Sequence, residues 1–184
     1  GEHGLWWKRT YYDASAGVPL LISGPGIEGK QAVSTPVELV DLFPTFCDWA
    51  EVDAPSGLDG ESLVSLLSGS QDRREKRIAR SELIADKPGT KFRMVRDERW
   101  KYVDFPSAPP RLFDMNDDSD ENNDLGSDPP DDAPVDQLQA MLDEEGTWDE
   151  VLKRINKGRA DLGKNAKRHP VESQGTVQYR LAGG

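Results

Sequence analysis

His3 and Lys8 stand five residues apart in the run GEHGLWWKRTYYD, interleaved with Trp6, Trp7, Tyr11 and Tyr12. A lysine held among aromatic walls is a fixed positive charge that can clamp a sulfuryl or phosphoryl oxygen as charge develops in a transition state. A neighbouring histidine can hydrogen-bond the same anion or protonate a leaving oxygen. By residue type alone the pair reads more readily as two surface residues beside a hydrophobic turn, because a lone Lys or His is weak ground for a site. Chain termini are commonly frayed and polar, yet this one opens at Gly1 on its bulkiest side chains. The expectation is that the sequence is entered partway through a larger protein, close to that protein's active site.

Other chemistries find less support. The chain has two histidines, His3 and His169, and one cysteine, Cys47, which leaves no four-ligand zinc set and no internal disulfide framework. An EF-hand frame begun at Asp114 places Asn116 and Asp118 correctly, but has Ser119 where glycine is needed and Leu125 where a bidentate glutamate is needed. The acidic segment is therefore expected to be a solvated loop. There is no G-x-S-x-G elbow, P-loop or dinucleotide fingerprint. The basic run RREKRIAR (73–80) reads as a solvated helix end or loop.

Composition narrows the partners. Of the net charge of -11, residues 114–150 contribute 15 acids and no Lys or Arg, and residues 151–184 contribute 8 bases against 2 acids. Polyphosphate would be repelled by the acidic block, so nucleic acid is not an expected partner. The basic tail is expected to complement that block within the chain. No segment approaches the roughly 18 consecutive apolar residues of a membrane span. The mean hydropathy of -0.71 points to long solvated stretches.

The elements that must position His3 and Lys8 follow from periodicity. GVPLLISGPG (17–26) reads as a buried, parallel-type strand leaving through a Gly-Pro-Gly turn. In STPVELVDLFPTFCDWAEV (34–52), Thr35, Pro36 and Glu38 fit an N-cap, a first helical position and a capping box, with Val37, Val40 and Leu42 as the apolar stripe. Pro44 should break that helix near Phe43. LDGESLVSLLSG (58–69) predicts a loop and a short helix burying Leu63, Leu66 and Leu67. RIARSELI, FRMVRDERWKYVDF and RLFDM alternate at period two and predict an antiparallel hairpin or meander, turning at Asp97-Glu98-Arg99. Residues 115–134 read as a loop, 135–146 and 148–162 as amphipathic helices, and the last twenty as an irregular tail. The expected fold class is α/β with a small α+β appendage. Its parts are 1–76 in the α/β domain, 77–134 in an antiparallel subdomain with an acidic connector, and 135–184 in helices and tail.

GEHGLWWKRTYYDASAGVPLLISGPGI closely resembles the segment following the metal-binding Asp-His-Gly motif in sulfatases of the alkaline phosphatase superfamily, nearest to the choline-sulfatase and iduronate-2-sulfatase-like branches. PVELVDLFPTFCDWAEVDAPSGLDGESLVSLL resembles the helix that follows, with its Leu-Phe-Pro-Thr and Leu-Asp-Gly-x-Ser-Leu signatures. FRMVRDERWKYV and RLFDMNDDSDENNDL are similar to the C-terminal strand pair and acidic connector of those enzymes. These blocks cover roughly residues 1–126. The resemblance implies the C-terminal part of an alkaline-phosphatase-like α/β domain, in a parent enzyme that hydrolyses a small-molecule or carbohydrate sulfate ester. It further implies a formylglycine nucleophile and a calcium ion, with Lys8 contacting the sulfate group and His3 a second candidate catalytic residue.

Neither the Cys/Ser-x-Pro/Ala-x-Arg maturation motif nor the paired metal carboxylates occur in this sequence; Cys47 lies in PTFCDWA, a helical context. Nucleophile and metal ligands are thus expected upstream, and the chain alone is expected to be inactive. Gly17 occupies a position where family members often carry arginine. The resemblance also implies a periplasmic or extracellular setting. Two rivals stand beside it: a phosphodiester or phosphonate monoester hydrolase on the same scaffold, and a non-catalytic carbohydrate- or protein-binding module using exposed aromatics.

Overall fold

The computed structural model describes residues 1–6, 8–27, 29, 32–70, 74, 77–84 and 91–168, with side chains up to 161. Gly1–Glu144 form one compact unit, and the second begins at Glu145. The first unit is organised around a four-stranded antiparallel meander in sequential order: β1 (Ala79–Ile84), β2 (Lys91–Arg96), β3 (Trp100–Asp104) and β4 (Arg111–Asp114). The expected hairpin turn is present. Asp97 donates its amide to the Trp100 carbonyl at 2.9 Å, and its Oδ1 accepts the amides of Arg99 at 2.8 Å and Trp100 at 2.5 Å.

Both faces of this sheet are covered. Phe92, Met94, Val103 and Phe113 gather with Tyr11 and Met115 on one face, and Val95, Trp100, Tyr102 and Leu112 with Leu138 and Leu142 on the other. The second face is closed by α4 (Val135–Asp143), which begins after Pro134. Period-two alternation sorts the strand residues between the faces, but it cannot say that both are buried. That follows from the N-terminal segment, which brings Tyr11 against one side. Tyr11 packs edge-on to Phe92 at 5.5 Å and Phe105 at 5.7 Å between ring centres, and burial raises its phenol's pKa well above the ordinary value.

A second module stands on two sequence signatures. A 3-10 turn (Leu39–Asp41) leads into α2 (Leu42–Trp49). The cap lies later than the sequence suggests: Glu38, not Thr35, is the N-cap residue, and it exchanges capping bonds with Asp41. Thr35 instead donates its hydroxyl to Glu98 Oε1 at 2.8 Å. Pro44 falls in the first turn of α2, where no intrahelical N–H is required, so the helix runs through it. The break expected near Phe43 is the junction between the 3-10 turn and α2.

Thr45 is fully buried; its hydroxyl donates to the Asp41 carbonyl at 2.6 Å and accepts the Leu63 amide at 2.9 Å. Asp41 accepts the Glu38 amide at 2.8 Å on one oxygen and the Glu61 amide at 2.9 Å on the other. The Leu-Phe-Pro-Thr and Leu-Asp-Gly-x-Ser-Leu signatures are thus two halves of one hydrogen-bonded joint, followed by α3 (Val64–Leu67) with Leu63 buried. Replacing Thr45 with valine keeps the volume but orphans the buried Leu63 amide, and should cost about 1–3 kcal/mol in a denaturant unfolding measurement. A Cβ on Gly60 would sit 2.3 Å from the Val40 carbonyl oxygen. Gly60→Ala should therefore also destabilise, by about 1–3 kcal/mol, which a lowered melting temperature would register.

Several expectations are corrected. Residues 17–26 form no strand: Val18 and Leu21 are exposed, the latter at 89%, and only a turn around Pro25 and Gly26 remains. A central parallel strand needs neighbours on both edges, and all four strands of the described residues lie in the meander. The buried side of α2 is Pro44, Thr45 and Cys47, whereas Val40, Phe43 and Phe46 are exposed. Arg74 is buried, donating to the Pro36 carbonyl at 3.2 Å, and Arg80 bonds the Met141 carbonyl at 3.0 Å and Glu144 at 2.6 Å. Those two arginines brace the fold rather than lying on a solvated run.

The acidic block is likewise structural. Glu121 and Asp114 are buried, and the block's carboxylates pair with cations of the sheet and its turn: Asp143 with Arg93 on β2, Asp114 and Asp132 with Arg99 in the β2–β3 turn, Glu121 with Lys101 on β3. Within the first unit the block's complement is the sheet and its β2–β3 turn, while Arg154 of the basic tail donates to the Glu145 carbonyl at 3.0 Å and the tail's side chains beyond 161 lie outside the described residues. In the second unit, α5 (Trp148–Arg168) starts where Thr147 donates its amide and hydroxyl to Glu150 Oε2 at 2.8 and 3.0 Å. It extends beyond the expected end at 162. The rest of the expected tail lies outside the described residues. No helix among the described residues is long and apolar enough to cross a membrane.

Candidate functional site

The opening run folds as two short turns and a one-turn helix. Glu2–Gly4 form a 3-10 turn in which His3 (φ 53°) and Gly4 (φ 69°) both take left-handed backbone. Glycine adopts that region freely, whereas a histidine there is uncommon. The His3 ring lies flat on Tyr12, with 3.7 Å between centres and 7° between planes. Tyr12 is held in turn, its hydroxyl accepting from Tyr11 at 3.2 Å and from Arg111 Nη1 at 3.3 Å.

Lys8 is exposed, and among the described residues it makes no hydrogen bond or ion pair. The chain after it is fixed more firmly. Arg9 has φ 80°, and the amides of Arg9 and Thr10 both donate to Ser15 Oγ, at 3.0 and 3.3 Å. Ser15 belongs to α1 (Asp13–Ala16). His3, Trp6, Lys8, Tyr12 and Ser15 line one shallow cavity of about 290 Å³. The two residues singled out in the sequence therefore share a cavity, an unpaired ammonium and an imidazole, with Trp6 86% exposed at its edge. Such a pair can attract an oxyanion and supply a proton to a leaving oxygen. Trp7 lies outside the described residues. Tyr11, unlike Trp6, is buried at the sheet.

Asp13, next to Tyr12 in the chain, belongs to a cluster that residue-type reasoning missed. Lys101 is fully buried; its Nζ donates to Asp13 Oδ1 at 2.7 Å and to Glu121 Oε1 at 2.5 Å. Arg96 donates to the other oxygen of Asp13, whose own amide donates to Glu121 Oε2 at 2.6 Å. Arg96 and Lys101 are directly paired across β2 and β3, an arrangement that repels unless an anion stands between the two cations. Asp13 supplies it. Burial works to raise the Asp13 pKa, but Lys101 and Arg96 together outweigh it and hold the carboxyl below its usual range. The sequence carried one signal: Lys101 is in phase with Val103 on the apolar face of a strand, where an unpaired cation would be untenable.

Among the described residues no group of three or more His, Cys, Asp or Glu side chains is placed to hold a metal ion. Cys47 is buried within α2. These residues do not fit a calcium site or a formylglycine, and no step is assigned through either within this chain.

Residues 1–147 match the family described as N-sulphoglucosamine sulphohydrolase, C-terminal. Arylsulfatase K of Gallus gallus is 38% identical over 129 residues, covering 65% of this chain; the chain spans about a quarter (24%) of that relative's length. A putative sulfatase from Bacteroides thetaiotaomicron has a similar structure, with TM-score 0.56 and 27% identity over 86% of this chain and 31% of its own. A phosphonate monoester hydrolase from Silicibacter pomeroyi gives TM-score 0.59 and 28% identity over 75% of this chain and 30% of its own. With the joint of α2 and α3, the meander and the opening run all lying inside the matched region, the chain belongs to the sulfatase family of the alkaline phosphatase superfamily, in its N-sulphoglucosamine sulphohydrolase C-terminal group.

Proposed function

We propose that this chain is the C-terminal part of a sulfatase that hydrolyses a sulfate ester, with Lys8 contacting the sulfate group and His3 serving the same pocket. The observation that carries the reading is the shared cavity of an unpaired Lys8 and a stacked His3 in a sulfatase-family chain. Lys8 supplies a positive charge where the non-bridging oxygens gain charge as the S–O bond breaks. His3, fixed against Tyr12, is held where it can donate to the same anion or to the departing alkoxide. The nucleophilic formylglycine and the calcium ion belong, in this reading, to residues outside the chain, and the chain alone is inactive. The family name points to a sulfated amino sugar, so a carbohydrate sulfate is the proposed substrate class. A periplasmic or extracellular location is the expected setting. The boundaries 1–76, 77–134 and 135–184 remain the proposed division into catalytic-domain end, sheet subdomain and tail.

The likeness to a phosphonate monoester hydrolase favours a second reading, in which the same lysine faces a phosphonate. Assaying the complete enzyme on aryl sulfates and aryl phosphonates in parallel separates them. Sulfate ester turnover in excess is expected; phosphonate turnover without sulfatase activity would replace the first reading with the second.

A further inference from the structure

We propose that the Asp13–Lys101–Glu121 cluster is a positioning device for the Lys8 loop, so that the C-terminal sheet sets the geometry of the sulfate pocket. The proposal rests on the reading of Lys8 given above.

The connection runs through named bonds. Lys8 leads directly into Arg9 and Thr10, whose amides are gathered by the single hydroxyl of Ser15. Ser15 sits on α1, which has four residues and so too few to hold itself in water. Its placement must come from outside, and Asp13, its first residue, supplies three anchors. The Asp13 amide reaches Glu121, one carboxylate oxygen reaches Lys101, and the other reaches Arg96. Tyr12, just before it, carries the His3 ring. Both candidate groups of the cavity therefore hang from one turn pinned to β2, β3 and the acidic connector.

Lys101 itself cannot touch substrate, because it is fully buried and both its carboxylate partners close around it. A buried ion cluster of this kind seldom adds stability over apolar residues of similar volume, but it does fix one geometry. An apolar contact would hold α1 against the sheet and leave it free to slide. Two charged bonds and an amide bond from one residue define its position and rotation. Directional anchoring is what a lysine needs if its ammonium is to meet an oxyanion at hydrogen-bond distance.

A double-mutant cycle in the complete sulfatase, assayed on an aryl sulfate, tests this. Asp13→Ala is expected to lower kcat/KM by about tenfold, mostly through kcat, but by less than about twofold when Lys8 is already alanine. A residue that only supports folding would cost the same factor in both backgrounds, and that additive result would overturn the proposal, as would normal activity of Asp13→Ala. Where Asp13→Ala does not fold, Ser15→Ala removes only the hydroxyl that gathers the loop, and Ser15→Thr restores it. Loss in the first, recovery in the second and no further loss beside Lys8→Ala support the proposal; full activity of Ser15→Ala overturns it. Near-normal turnover of Lys8→Ala alone is a different pattern. It removes the reading of Lys8 and, with it, the object being positioned.

Discussion

Replacing Lys8 with alanine in the complete sulfatase is expected to cut kcat on an aryl sulfate by about a hundredfold or more, the scale of losing one transition-state donor. The side chain is exposed and, among the described residues, unpartnered, so its removal should leave folding untouched. The effect should therefore fall on turnover at unchanged melting temperature. Lys8→Arg keeps the charge but spreads it over a wider, planar head, so it should recover only part of the activity. Near-normal kcat in Lys8→Ala would remove Lys8 from the mechanism. His3→Ala should cost less than Lys8→Ala, because a neighbouring donor can still stabilise the anion while a proton comes from water.

The largest stability effect is expected at Lys101. Lys101→Met should destabilise the sheet by about 3–5 kcal/mol, the cost of removing one partner from a buried charge cluster. Glu121 is 3% exposed at its side chain and would face Asp13 without the ammonium between them. The loss should appear as reduced amide-exchange protection along β3, where Lys101 lies between Trp100 and Tyr102 in the centre of the meander. Adding Glu121→Gln to Lys101→Met should restore part of it, because no unpaired buried carboxylate then remains. Unchanged protection in Lys101→Met would show that the cluster is not holding the sheet.

Acid should act on the same place. The folded pKa of Asp13 is depressed, so its contribution is fully present above the unfolded carboxylate value, about pH 4. It is lost as pH falls below that value and through the folded one. Asp13→Asn should flatten this part of the acid-unfolding curve, and an unaltered curve would show that Asp13 contributes nothing to acid stability.

The meander was legible because alternation and the Asp97-Glu98-Arg99 turn are local signals, read correctly without knowledge of what covers the sheet. The helix cap departs from its local pattern for a related reason. Thr35-Pro36 and Glu38 satisfy the local pattern, but Asp41 binds Glu38 and Glu61 together, and that bond to a distant loop moves the helix start. The apolar run at 17–26 has the composition of a strand, yet strand formation depends on edges offered by other strands. Arg74 and Arg80 looked like surface charge because sequence shows their neighbours in the chain and not the carbonyls they meet in space.

For the candidate site, residue order alone shows the chemistry on offer: one lysine and one histidine, five apart, among aromatic rings, with no nucleophile motif beside them. It also fixed the family resemblance, which rests on ordered local blocks. That His3 lies on Tyr12, that both groups share one cavity, and that the turn carrying them is anchored to Lys101 and Glu121 are products of long-range packing. Asp13 and Lys101 are 88 residues apart, and Asp13 and Glu121 108. Contacts at that separation leave no periodic trace in a chain, because they are chosen by how the sheet packs and by the high cost of burying a cation without an anion.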